Sequence, residues 1–227
     1  MIGAFIGWGV LGLFLSGTSL LASPLLIIPL MIIVAMAGTS ALGVGIEWFA
    51  YRPLRKAPRL APLISALAVS IFLQNLVVLT MGARAKVYAT HLLIPITWQV
   101  TIGSATISFI RFLVISISFL LMVGLDSFIR RSKTGKAMRA TAQDREAASF
   151  MGIPVDRVIS TTFFIGSALA GAGGVLVGLY YTQIDFYMGF AAGMKAFTAA
   201  VLGGIGNIRG AMLGGLLLGL AESMGVA

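Results

Sequence analysis

Cysteine is absent from the 227 residues, histidine occurs once, and only seven side chains are acidic. Without thiols, disulfides, iron–sulfur clusters and thiolate metal sites are excluded. The one histidine, His91, has no Asp or Glu within fifteen residues, which makes it a solvated loop residue and neither a metal ligand nor a base. Charge of either sign is scarce, at 10% of residues against about a quarter in a soluble domain. Between Met1 and Ile46 there is none. A P-loop is missing as well: at the nearest candidate, Gly135-Lys136, Arg130 stands where the first glycine is needed and Ala137 where Ser or Thr should follow. The chain has no such route to ATP. Intramembrane proteolysis fails on similar grounds, because no acid sits near the middle of an apolar run and a serine type needs a nearby base.

What is present is apolar: 59% of residues are hydrophobic and 28 are glycine, with a mean hydropathy of +1.02. The uncharged start, drawn out as helix at ~1.5 Å per residue, would extend about 69 Å against a hydrocarbon core of about 30 Å. It therefore crosses twice, with Ser23-Pro24 the natural break. No basic residue precedes the first run and no cleavage site closes a short one, so the start is expected to be a membrane segment and a cleaved signal peptide is a poor explanation for it. Apolar runs at about 2–22, 25–47, 61–82, 108–128, 157–181, 189–206 and 208–225 predict an all-α integral membrane protein, one transmembrane domain over 1–227. The expected fold is a polytopic helical bundle of about six to seven membrane segments, one of them a candidate re-entrant segment.

Net charge is +9, yet the basic residues flank apolar spans and form no basic domain with interleaved aromatics, which argues against nucleic acid. Arg52, Arg55, Lys56 and Arg59 follow the second run. Arg130, Arg131, Lys133, Lys136, Arg139, Arg145 and Arg157 occupy the loop of about 130–157, whereas the loop of about 83–107 holds only Arg84 and Lys86. The positive-inside rule puts the two rich segments in the cytoplasm, the poor one outside and the first residue inside. In the outer loop, WQVTIGSATIS alternates apolar and hydroxyl residues around Gly103-Ser104 and predicts a short hairpin with a two-residue turn.

Small residues recur at spacings of four: Gly166, Ala170, Gly174 and Gly178 in one run, and Gly206, Gly210 and Gly214 in another. Such spacing predicts close helix–helix packing in lipid, where the lack of side chains lets backbones approach. Lys195 lies inside an apolar run that ends in GGIGNIRG. A charge near the bilayer centre costs about 3 kcal/mol, so a broken or re-entrant segment, or snorkelling to the outer interface, is expected there.

The stretch GKAMRATAQDREAASFMGIP gathers charge in this apolar chain. Thr141 and Asp144 have capping-box spacing, Glu146 adds a second negative charge to the first turn, and Gly152 with Pro154 supplies a stop. A helix over about 142–151 is predicted, with Ala147, Phe150 and Met151 as an apolar stripe beside Arg145 and Glu146. Such a helix lies on lipid or docks in a partner's groove. EAASFMGI, Glu146 to Ile153, resembles the start of the EAA loop by which permeases of bacterial ABC importers engage their ATPases. Together with GMKAFTAAVLGGIGNIRGAMLGGLLLGLAE and EWFAYRPLR…LISALAVSIFLQN, it is similar to permeases of branched-chain amino acid (LIV-type) importers, over nearly the whole chain. Relatives in that family also carry urea, short amides and other amino acids. The Ile-x-Leu-Pro of the fuller importer pattern is lacking.

The resemblance implies an inner-membrane, multi-pass transport subunit that is no enzyme and binds no cofactor or metal. ATP and Mg would sit on two cytoplasmic ATPase subunits, and a second homologous permease and a periplasmic binding protein would complete the system. It implies an ATPase-coupling set of Arg145, Glu146, Ala147, Phe150, Met151 and Gly152. Further apolar segments are expected before Met1 and after LGLAES, so the chain resembles a permease shortened at both ends, and a non-transporting remnant or scaffold stays open as an alternative. For a substrate pathway the polar candidates are Gln74, Asn75, Thr161 and Thr162, with Ser160 nearby; hydrogen bonds between or within helices explain them equally well. Asp185, between two runs on the expected outer side, is read as a solvated loop carboxylate.

Overall fold

A computed structural model of the chain describes residues 1–17, 24–56, 61–88, 90, 99–102, 105–204 and 206–226. His91 and Arg59 lie outside the described residues. The apolar runs become α1 (Ile2–Gly17), α2 (Pro24–Ile46), α3 (Ala61–Met81), α4 (Phe109–Arg131), α7 (Val155–Tyr181), α8 (Met188–Gly203) and α9 (Ile208–Val226). Between α4 and α7 stand two shorter helices, α5 (Lys133–Gln143) and α6 (Arg145–Phe150). The architecture is all-α with membrane-length helices. Among the described residues, four segments are long and apolar enough to cross a bilayer, namely Leu26–Tyr51, Ile64–Met81, Phe109–Arg131 and Val155–Tyr181, and α8 with α9 makes a fifth unit bent by 119°.

Two expectations change. The first run yields a helix of 16 residues, which at ~1.5 Å per residue reaches about 24 Å and falls short of a full crossing. Nor does α1 start at the basic end of the bundle: Gly3 lies against Gly171, halfway along α7, and Met1 against Gly189. The last two runs join as the broken or re-entrant unit expected around Lys195 and GGIGNIRG. Gly204 and Gly206 adopt positive φ of 90° and 94°, a conformation that favours glycine, and they turn the chain so that α9 folds back along α8. Backbone meets backbone where Gly203 faces Gly210 and where Gly214 faces Ala199. Lys195 then pairs with Glu222 on the facing helix, which answers the expected cost of a lysine in an apolar run. Its neighbours Val177, Tyr181 and Asp185 place it away from the basic end.

The core is a three-helix contact. α2 runs antiparallel to α7, with Ala35 and Thr39 against Gly171 and Gly43 against Ser167, and α1 fits beside them. Ala4, Met31, Ala35, Ala172 and Val175 are fully buried there. A Cβ on Gly174 would lie 2.9 Å from the Ala4 nitrogen, closer than carbon tolerates. Of the four residues expected on one packing face, Gly174 and Gly178 make close contacts, whereas Gly166 has nothing within 4 Å of a built Cβ and both it and Ala170 are exposed. The packed face runs through Ser167, Gly171, Gly174 and Gly178 instead. A step of four residues overshoots the ~3.6-residue turn, so a strict four-residue series drifts round the helix.

At the opposite end, Tyr88 is fully buried and its hydroxyl donates to the Ala4 carbonyl at 2.7 Å. Burial pushes its phenol well above the usual tyrosine range. Strand β1 (Lys86–Val87) pairs antiparallel with β4 (Gln183–Ile184), and the Trp8 indole donates to the Val87 carbonyl at 3.1 Å. β2 (Gln99–Ile102) and β3 (Ala105–Ser108) form the expected hairpin, in register Ile102 to Ala105, and the expected turn at Gly103-Ser104 lies outside the described residues. Asp185 is not merely solvated: its carboxylate accepts from the Tyr187 and Met188 N–H groups at 2.8 and 2.6 Å and holds the turn that leads into α8.

Candidate functional site at the basic end of the bundle

Arg52, Arg130, Arg131, Lys133, Lys136, Arg139, Arg145 and Arg157 gather where α2, α4 and α7 share one end, which carries α5 and α6. Ser132 stops α4 in extended conformation, and its hydroxyl accepts from the Gly135 N–H at 2.9 Å to start α5. Position 135 needs glycine, because an added Cβ would lie 2.5 Å from the Ile129 Cα. Asp144 then divides the charged loop. Its N–H closes α5 onto Ala140, and its carboxylate accepts from the N–H groups of Glu146 and Ala147 at 2.8 and 3.1 Å. The expected single helix over 142–151 with Thr141 at its start is therefore two helices, and Asp144 is the cap. A carboxylate accepts two N–H groups at once and complements the helix dipole, which a threonine hydroxyl does less well.

The stop falls where expected. Gly152 has φ of +78°, its N–H bonds Ser149, and the Ile153 N–H bonds Ala148, a Schellman closure. Pro154 follows and begins α7. One side of α6 is anchored by buried Ala148, while Phe150 and Met151 are 89% and 83% exposed. Arg145, Glu146, Ala147 and Gly152 are exposed beside them. All six residues of the expected coupling set are thus exposed on or next to α6, a helix held at both ends, and Arg145 also reaches the cleft behind it.

Behind this surface, α4, α5, α7 and the α8–α9 bend enclose a cleft of about 950 Å³, lined mainly by apolar side chains and by Arg139, Thr141, Arg145 and Thr162. The Thr141 hydroxyl is buried and has no hydrogen-bond partner, which costs about 1–3 kcal/mol if left unmet. Asp126 ties the cleft's rim together: it accepts from Arg130 at 2.7 Å and pairs with Arg209 of α9 at 3.2 Å.

The four polar pathway candidates are not brought together. Thr161 and Thr162 donate to carbonyls of their own helix at Arg157 and Val158, and only Thr162 reaches the cleft. Asn75 likewise bonds Ile71 at 2.8 Å, and it is exposed on α3 beside half-buried Gln74. A residue that the sequence did not single out is Glu47, 2% exposed, which accepts from Ser160 of α7 at 2.8 Å. It opens a π-helical turn, Glu47–Tyr51, at the end of α2, a geometry frequent at functional positions. Its position as the first charge after a long uncharged run was the signal available. Among the described residues no group of acids, histidines or cysteines could hold a metal ion.

The model of the family "branched-chain amino acid transport system / permease component" matches residues 1–227. The high-affinity branched-chain amino acid transport system permease protein BraD of Pseudomonas aeruginosa is 50% identical over 190 residues, covering 82% of this chain and 61% of that protein. LivH of Escherichia coli, with the same descriptive name, is 50% identical over 196 residues, covering 85% and 63%. LivH of Salmonella typhimurium is 51% identical over 191 residues, covering 83% and 61%. The matched region thus spans little more than three fifths of these relatives' length. No solved structure matches the chain.

Proposed function

The chain belongs to the permease family of branched-chain amino acid transport systems, and from that premise we propose that it is a membrane-spanning permease subunit of an ABC importer for branched-chain amino acids. The relatives named above are permeases of such systems, and membrane-length helices lacking a P-loop fit a subunit that draws energy from elsewhere. ATP and Mg would bind on two cytoplasmic ATPase subunits, and a second homologous permease and a periplasmic binding protein would complete the assembly. The basic end faces the cytoplasm in this reading.

The observation that carries the coupling role is the pair Phe150 and Met151, 89% and 83% exposed on a capped helix. Large apolar side chains held out in this way fit a groove on a protein partner, and Arg145 and Glu146 add charge selectivity at the rim. Nucleotide-driven closure of the ATPases would push α6, and the short link from Gly152 through Pro154 would pass the displacement to α7. Alternating access follows if α7 and the packed α1 and α2 move as one body. Phe150→Asp and Glu146→Lys are each expected to abolish co-purification of the ATPase while membrane insertion is unchanged. Retained co-purification in both would remove α6 as the docking element.

A further inference from the structure

We propose that the cleft behind α5 is a binding site for one anionic phospholipid, a role beyond transport coupling and independent of which substrate is carried. Its floor is apolar, with Ile129, Ile159, Phe163 and Ile208 placed to accept acyl chains. Arg139 and Arg145 lie in its wall, and none of its lining residues is acidic. Of the carboxylates close to the lining residues along the chain, Asp126 is engaged by Arg130 and Arg209, Asp144 accepts from the Glu146 and Ala147 N–H groups, and Glu146 is exposed on α6. The Thr141 residue is 6% exposed, lines the cleft and carries a hydroxyl with no partner. A phosphate oxygen seated between the two arginines supplies an acceptor for it.

Asn207 and Ile208 at the start of α9 line the same space, and the Asn207 amide oxygen accepts from the Gly210 N–H there. The cleft is lined by Ile129 near the end of α4 and Val158 near the start of α7, the level at which headgroups would lie if the basic end faces the cytoplasm. Basic pockets between spans on the cytoplasmic side take anionic headgroups by this combination of charge and apolar walls. The shared chemistry is a phosphate anion. The apolar floor selects its lipid form over the free ion.

The test is native mass spectrometry of the full chain in detergent with added dioleoylphosphatidylglycerol, dioleoylphosphatidylethanolamine or inorganic phosphate. Phosphatidylglycerol is expected to be retained over the zwitterionic lipid, and Arg139→Gln to lower its retention about fivefold, as one basic contact near a membrane surface implies. Lys133→Gln makes the same charge change outside the cleft and is expected to leave retention alone. Thr141→Val is expected to weaken retention without loss of fold, because it removes a hydroxyl that has no partner in the free chain. Equal retention of the two lipids, an equal loss with Lys133→Gln, or stabilisation of the chain by inorganic phosphate as strong as that by phosphatidylglycerol would each overturn the proposal. ATPase co-purification reads the coupling surface separately, so failure of one reading leaves the other standing.

Discussion

Gly174 and Gly166 stand two turns apart on α7 and look equivalent in sequence. Only Gly174 has a neighbour that forbids a side chain, the Ala4 nitrogen 2.9 Å from a built Cβ. Overpacking a filled core costs about 1–3 kcal/mol, and for a chain of this size that lowers a melting temperature by roughly 2–4 °C per kcal/mol. Gly174→Leu is expected to lower the detergent melting temperature by several degrees, and Gly166→Leu to leave it unchanged. Equal effects from both would contradict the packing face. Small residues were legible as a packing signal; which of them meet a partner was not, because that depends on where α1 and α2 cross α7. The same holds for Glu47, which is buried and accepts from Ser160, 113 residues away along the chain.

Among elements, α6 has only 6 residues, far too few to persist alone in water. It is held by the Asp144 carboxylate at one end and the Gly152 closure at the other. Asp144→Ala should cost about 1 kcal/mol and speed amide exchange across 145–150, leaving α4 and α7 as protected as before. Hydrogen exchange with mass spectrometry reads this directly, and unchanged protection of 145–150 would show that Asp144 does not hold the helix. The stop at Gly152 could be read from sequence because a left-handed glycine before proline has few alternatives. The start was misplaced, since Thr141 and Asp144 both offer side-chain acceptors and the choice rests on α5, whose length follows from the Ser132 cap. The hairpin of β2 and β3 was legible in register, and the bend at Gly204 and Gly206 was signalled by the run of glycines in GGIGNIRG.

On the scale of the whole molecule, burial is uneven. α1, α2 and α7 share the core, whereas the windows of α3 and α4 long enough to span are 6% and 0% buried. Exposed Phe72, Leu79, Phe119 and Leu120 on them need lipid or further protein as solvent, since apolar patches of that extent mark an interaction surface. The most direct measurement is co-expression of this chain with its genomic neighbours, followed by uptake of labelled leucine into cells lacking other leucine transport. ATP-dependent uptake, lost in Phe150→Asp, is the expected result for a permease subunit coupled through α6. A chain that inserts, binds the ATPase and leaves leucine outside under every condition would contradict the proposed transport function.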